Sequence, residues 1–411
     1  MGRLGRHGRA TRPASVRHAL RGCHAIGVVT TSARARTCLG AMLLSLVSRE
    51  LWTCPTYGRW FVGWNMWHAC GDYSVEKFIA CPWCAARQRW VEPRVHEVRI
   101  AVLGAGGVGG YFGGRLAQSG EDVQFIARGE HLRAIRRHGL HVRSVRGDFE
   151  VSAFATDDPK EVGPCEFVLF CLKSFDTREA AAALDPLVAP NTAVVSLQNG
   201  VDNGEAIATQ IGWDRVLGGV AFIFSSVLQP GVVEDTGGPA RVVFGEWDGQ
   251  PSERGTRLLE AFHRAGVDAE LSSNIRSVLW NKFAFICAQA GMTAATQLPI
   301  GEIRSVPEAG EMFRQLVEEV CAVAAAEGVD LGPDAVDHHV RFAEGLEPDG
   351  RSSLYNDMVQ GKRMELEALH GTVVRLAERH QVPVPASRAI YRLLKAWAVR
   401  NERGEGPASR G

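Results

Sequence analysis

Along most of the chain, short apolar runs alternate with longer stretches of helical period. From Val98 the order Val-Arg-Ile-Ala-Val-Leu reads as a buried strand that passes through Gly104-Ala-Gly-Gly-Val-Gly into a helix. Further strands read at Asp122-Val-Gln-Phe-Ile-Ala, at Glu166-Phe-Val-Leu-Phe-Cys-Leu-Lys and at Thr192-Ala-Val-Val-Ser-Leu-Gln-Asn. Continuous apolar runs separated by helices are the pattern of a parallel sheet covered on both faces. Residues 218–246 read as extended segments turning at Thr236-Gly-Gly-Pro, an antiparallel addition to that sheet. Ser272-Ser-Asn then looks like a helix cap, opening a helix through Trp280-Asn-Lys-Phe to about Ala290. Helices continue to about residue 400, and residues 351–380 read as a largely helical core element, apolar at Met358, Met364, Leu366, Leu369, Val373 and Leu376. The expected fold class is α/β, with an N-terminal Rossmann dinucleotide-binding domain over residues 98–270, an all-α C-terminal domain over 271–400, and a disordered tail from 401 to 411.

Gly104, Gly106 and Gly109 form G-x-G-x-x-G between a strand and a helix. The first glycine permits the turn, the second lets backbone approach a pyrophosphate, and the third lets helix pack on strand. Phosphates would meet backbone N–H groups at the helix start, which makes Gly107 and Val108 cofactor candidates as well. Where the second strand ends, an acid suits the ribose of NAD and an arginine suits a 2′-phosphate. Arg128 favours NADP, while Glu130 keeps an NAD reading open. Lys173 and Asn199 stand at the carboxyl ends of the next two strands, where open parallel sheets bind ligands, although such residues are also commonly solvated or turn-forming.

Composition changes the picture mainly at the N-terminus. The chain has 411 residues, 45% hydrophobic and 22% charged, with no net formal charge. Residues 1–97 carry 14 Lys or Arg against 5 Asp or Glu, so the remainder is acidic by nine. Neither part has the basic excess of a nucleic-acid binder, and no nucleic-acid partner is expected. The first 97 residues also hold six of the ten cysteines and six of the ten tryptophans. Three readings stand for them. They are a targeting segment with the apolar run 38–47, too short to span a membrane; a zinc site from Cys54, Cys70, Cys81 and Cys84; or an unassigned extension ahead of a natural start near Val98. Beyond Val98 no metal site is expected: His338 and His339 are adjacent rather than a helical turn apart, and Cys165, Cys171, Cys287 and Cys321 read as small core residues.

Several motifs now stand in a fixed order: G-x-G-x-x-G, Cys-Leu-Lys173, Leu-Gln-Asn199-Gly-Val, Leu-Trp-Asn-Lys282-Phe, and Ser-Ser353-Leu-Tyr-Asn-Asp357 with Glu365 eight residues on. Over about residues 98–395 the chain resembles ketopantoate reductase, the 2-dehydropantoate 2-reductase family. The resemblance implies cytoplasmic, NADPH-dependent reduction of 2-dehydropantoate to (R)-pantoate for pantothenate and coenzyme A synthesis; separately, a homodimer is expected because an extensive helical domain offers apolar surface for pairing. The resemblance further implies Lys282 as the catalytic lysine with Glu365 beside it, and Asn199, Ser353 and Lys173 at the substrate. Lys173, Asn199 and Glu365 also fall at the cofactor crevice.

Such a set suits the chemistry. Hydride delivered to a ketone carbon creates an alkoxide, which needs a proton donor or cation; an ammonium supplies both. Glu365 is expected to hold Lys282 in place and bond a substrate hydroxyl, and Ser353 to donate to a substrate carboxylate. One departure bears on the substrate: the family's helix carries asparagines four and eight residues after the lysine, and here Ile286 and Ala290 stand there. The pocket should be less polar, so a second hypothesis is the same chemistry on a more apolar 2-oxo acid or other carbonyl compound. A third, a non-catalytic NADP-binding relative, is opposed by the presence of Lys282 and Glu365.

Overall fold

The structure is a computed structural model and describes residues 49–53, 60–64 and 97–404. Strands β1 (Arg49–Thr53) and β2 (Trp60–Trp64) pair as an antiparallel ribbon. The three readings of residues 1–97, with the run 38–47 and the four N-terminal cysteines, otherwise lie outside the described residues, as does the end of the tail.

From residue 97 onward the strands are β3 (Arg99–Leu103), β4 (Asp122–Ile126), β5 (Leu140–Ser144), β6 (Phe149–Val151), β7 (Phe154–Thr156), β8 (Phe167–Phe170), β9 (Ala193–Ser196), β10 (Val216–Gln229), β11 (Val232–Gly245) and β12 (Asp268–Leu271). They form one sheet in the order β6-β5-β11-β10-β9-β8-β3-β4-β7, with β12 also on β11. Every pairing from β10 to β7 is parallel, while β10–β11 and β5–β6 are antiparallel. The helices interleaved with these strands are α1 (Gly107–Gln118), α2 (Gly129–His138), α3 (Pro159–Val162), α4 (Thr177–Ala182), α5 (Asn203–Ile211) and α6 (Glu253–Arg264). Alternate residues of one strand serve opposite layers: Ile100 and Val102 pack with Phe112 of α1 and Phe262 of α6, whereas Ala101 and Leu103 pack with Ala180 of α4 and Ile207 of α5. Burial on both faces is why these strands read as unbroken apolar runs.

The second lobe is helical: α7 (Ile275–Thr296), α8 (Ile300–Arg304), α9 (Pro307–Ala326), α10 (Ala335–Glu344), α11 (Ser353–Val359), α12 (Thr372–His380) and α13 (Pro385–Glu402). Its core joins Phe283 and Cys287 of α7 to Leu316 and Val320 of α9, Met358 of α11 and Ile390 of α13. Among the described residues no helix is long and apolar enough to cross a membrane.

Three local expectations are corrected and one is refined. The β10–β11 turn is at Pro230-Gly231, where Gly231 takes φ 79°, and not at Thr236-Gly-Gly-Pro, which lies inside β11 opposite register shifts near Phe222 and Phe224. Helix α7 does not stop near Ala290. Gly291 sits within it because a Cβ there would stand 2.5 Å from the buried His370 ring, and the helix ends at left-handed Gln297 ahead of Pro299. Residues 351–380 are largely helical, as expected, in separate pieces: Gly361 at φ 68° turns the chain after α11, and a wide π-type turn at Glu367–Gly371 leads into α12. Asn401 and Glu402, placed in the tail by sequence, complete α13.

Candidate active site

The glycine loop is shaped by close approaches. Gly104 takes φ 102°, and a Cβ on it would lie 2.9 Å from the Leu172 side chain; a Cβ on Gly109 would lie 2.1 Å from the Gly104 carbonyl oxygen. Around Gly106 the reverse holds, since nothing lies within 4 Å of its Cβ direction. Gly106 precedes α1 without any side-chain cap, so the first-turn N–H groups face this open space. The arrangement fits a dinucleotide pyrophosphate. His131 of α2, which sequence reasoning missed, braces the loop: Nε2 donates to the Ala105 carbonyl at 2.7 Å and Nδ1 accepts from Gly231 N–H at 3.0 Å. Burial lowers its pKa and keeps the ring neutral, as this pair of bonds requires. No pattern in the sequence ties residue 131 to residue 231.

Arg128 ends the β4 segment on the surface, and among the described residues its side chain has no partner. Glu130 is engaged instead by Arg133, whose side-chain hydrogen bond holds the carboxyl below its usual range.

Lys173 follows β8 and reaches into the helical lobe. Its Nζ donates to Asp357 Oδ2 at 2.9 Å and to Glu365 Oε2 at 3.0 Å. The other Glu365 oxygen accepts from Ser174 N–H at 2.9 Å and Ser174 Oγ at 2.8 Å. Burial would lower the Lys173 pKa, but the Glu365 and Asp357 carboxylates more than reverse this and hold it above the ordinary lysine value. The anions that Lys173 meets in this structure are its own chain's carboxylates, Asp357 and Glu365. Ser174 joins the site without having been singled out, and Asp357, read only as the end of its motif, joins it as a partner of Lys173. The Lys173 side chain is 45% exposed but Glu365 only 7%, so Lys173→Met, which leaves that carboxylate without its cation, is expected to cost about 1–3 kcal/mol of stability by urea unfolding. A loss beyond about 3 kcal/mol would instead mark a fully desolvated pair.

Lys282 stands about two turns into α7, counted from the Asn274 cap. Its Nζ donates to Asn199 Oδ1 at 2.8 Å and to the Ala221 carbonyl of β10 at 2.7 Å, leaving one of its three N–H donors. Bonding the ammonium fixes the Asn199 amide, so Nδ2 is its remaining donor. The Phe222 ring lies 5.7 Å from Nζ. Burial brings the Lys282 pKa down to about 8, with the Glu365 charge opposing the shift. Glu365 therefore acts on Lys282 through its field; the hydrogen bonds that hold Lys282 come from Asn199 and Ala221, not from Glu365 as expected. Ser353 begins α11, exposed, while its neighbour Ser352 caps that helix and bonds Thr293 of α7 at 2.7 Å. Ile286 is half-buried against the helical core and Ala290 is buried.

The structure thus brings Lys282, Asn199, Lys173 and Glu365 together where β8, β9 and β10 meet α7 and the segment after α11. Comparison with known proteins identifies the family. The family profile "Ketopantoate reductase PanE/ApbA" matches residues 100–249, and its C-terminal companion matches 274–398. An uncharacterized oxidoreductase, YkpB, of Bacillus subtilis is 30% identical over 73% of this chain and 99% of its own. A 2-dehydropantoate 2-reductase of Mesorhizobium japonicum is 30% identical over 75% of this chain and 99% of its own. The crystal structure of a PanE/ApbA family ketopantoate reductase from Ralstonia eutropha superposes with a TM-score of 0.69 at 36% identity, covering 74% of this chain and 99% of that one. With both lobes matched in order and the lysine held at their junction, the chain is an oxidoreductase belonging to the ketopantoate reductase family.

Proposed function

We propose that this protein reduces a 2-oxo acid, 2-dehydropantoate foremost, to the corresponding 2-hydroxy acid with NADPH. The observation that carries the reading is the buried Lys282 ammonium, tuned to about 8 and held by two acceptors with a third N–H to spare. A nicotinamide dinucleotide, the cofactor class of the family, would supply the hydride when bound at the glycine loop. Lys282 gives its proton to the carbonyl oxygen as negative charge develops there, becomes a neutral amine, and recovers a proton from solvent. Asn199 holds the lysine and offers Nδ2 to the ligand. Glu365, fixed by Ser174 and Lys173, keeps a negative charge near the ammonium and favours its protonated form. Ser353, exposed at the start of α11, is proposed to donate to a substrate carboxylate. (R)-Pantoate formed this way would enter pantothenate and coenzyme A synthesis in the cytoplasm.

NADPH is preferred to NADH because Arg128 is exposed and unpaired among the described residues while Glu130 is engaged by Arg133. Arg128→Ala is expected to raise KM for NADPH about 10- to 100-fold, as loss of a charge-assisted hydrogen bond would, and to leave KM for NADH unchanged. Equal effects on both cofactors would remove Arg128 from the 2′-phosphate.

Ile286 and Ala290 support a second reading, in which a more apolar 2-oxo acid is the substrate. Steady-state oxidation of NADPH with 2-dehydropantoate and a series of alkyl 2-oxo acids separates the two. Turnover of 2-dehydropantoate at least as efficient as that of any alkyl acid supports the first; turnover of alkyl acids alone supports the second; bound NADPH without any turnover would sink both.

A further inference from the structure

Lys173 and Asn199 stand just beyond the ends of two neighbouring strands, β8 and β9, and buried polar side chains join the turns that carry them. Thr177, Ser196, Gln198 and Asn203 are all buried. Gln198 Nε2 donates to the Leu172 carbonyl at 2.9 Å and to Thr177 Oγ1 at 2.8 Å. Thr177 Oγ1 donates to Asn203 Oδ1 at 3.1 Å, and Asn203 Nδ2 donates to the Asn199 carbonyl at 2.9 Å. Ser196 Oγ braces the first amide by donating to Gln198 Oε1 at 3.0 Å.

The hydrogens of this relay can be arranged in one way only. Both of its ends are backbone carbonyls, which accept and never donate, so Gln198 must turn its NH2 to Leu172 and Asn203 its NH2 to Asn199. Asn203 then presents its oxygen to Thr177. The Thr177 hydroxyl must donate there while accepting from Gln198, and no apolar side chain can replace it. A buried polar chain satisfied at every link holds its members in a single arrangement.

Asn199 is held by that arrangement. It lies in the turn between β9 and α5, beyond the last residue of the strand, so the sheet's ladder does not fix it. Its side-chain Oδ1 is one of the two acceptors of the Lys282 ammonium, and its carbonyl is the last acceptor of the relay. At the other end, Leu172 adjoins Lys173, so one amide sets the distance between the two turns.

We propose that Gln198, Thr177 and Asn203 are positioning residues for the reduction: their relay fixes Asn199, and through it keeps the Lys282 ammonium where charge develops on the substrate's carbonyl oxygen. The assignment rests on the reading of Lys282 as the proton donor to a 2-oxo acid. None of the three residues acts on the substrate itself. A donor misplaced by about 1 Å can cost about 100-fold in rate, which is why a remote hydroxyl can matter.

Thr177→Val keeps the branched shape of the side chain and removes the hydroxyl, whereas Thr177→Ser keeps the hydroxyl and removes a methyl. Asn203→Asp is a second break: it removes the NH2 that meets Asn199, and an acid suits the first turn of α5. Urea unfolding verifies that each variant is folded. The rate kcat is then measured at saturating NADPH on 2-dehydropantoate and on 2-oxo-3,3-dimethylbutanoate, its analogue without the hydroxyl. On whichever acid the wild type reduces, Thr177→Val and Asn203→Asp are each expected to lower kcat about 10-fold or more, and Thr177→Ser to stay within about twofold of wild type. In a Lys282→Ala background, Thr177→Val is expected to leave the residual rate within about twofold, because a residue that works through the lysine then has nothing to position. Wild-type kcat in either folded break, an equal loss in Thr177→Ser, or the same loss with and without Lys282 overturns the relay, while wild-type turnover keeps the reductase reading. Failure of both breaks to fold assigns these residues to stability and overturns it as well. A wild-type protein that turns over neither acid, or Lys282→Ala as fast as wild type, overturns both readings.

Discussion

Lys282→Ala is expected to lower kcat for ketone reduction about 10²- to 10⁴-fold, the range of a lost general acid, with NADPH affinity close to wild type. The variant removes the one ammonium held at the lobe junction by Asn199 Oδ1 and the Ala221 carbonyl. It leaves the glycine loop and Arg128 untouched. The wild-type pH profile supplies an independent check. Burial lowers the Lys282 pKa to about 8, so the proton needed for reduction is present below that value and is lost as pH rises through it. The rate of reduction should therefore fall above about pH 8, whereas oxidation of the hydroxy acid, which needs the neutral amine, should rise over the same interval. Activity unchanged in Lys282→Ala, or a reduction rate flat across that range, would assign the proton to another group.

Gly109→Ala and Gly106→Ala, three residues apart, are expected to fail in opposite ways. At Gly109 the added Cβ would lie 2.1 Å from the Gly104 carbonyl oxygen and 2.9 Å from Val102 Cγ1, so α1 must move off β3. Backbone cannot yield as a flexible side chain can, and a loss of about 3 kcal/mol or more in denaturant unfolding follows. At Gly106 the Cβ meets nothing, so stability should hold, yet the methyl occupies the space the pyrophosphate needs and NADPH binding should weaken sharply. Loss of NADPH binding without loss of stability in Gly109→Ala would contradict this division of roles.

The parts of the site written in local sequence were legible. The glycine loop depends on three positions in one turn, and Lys282 sits in a motif beside a recognisable cap. Parallel strands buried on both faces declare themselves by unbroken apolar runs, so β3, β4, β8 and β9 were readable as strands. What escaped reading was long-range. Lys173 meets Glu365 across 192 residues, and His131 meets Gly231 across 100. Nothing local marks either partner. The hairpin turn was assigned to Gly237 and Gly238 because glycine pairs suit turns, but positive φ at those residues serves an irregular strand, while Pro230-Gly231 makes the reversal. The break after α11 hid behind an apolar period that persists on both sides of Gly361.

The tuned lysine belongs to neither half of the chain alone. Its stem grows from the helical lobe, and both of its acceptors, Asn199 and Ala221, belong to the sheet lobe. Separated as fragments, the helical half would carry a wetted amine near the ordinary lysine value and the sheet half a dinucleotide cradle with no acid facing it. Catalytic competence would then appear only on reassembly of the two pieces, which makes recovered turnover a direct readout of correct docking between the lobes.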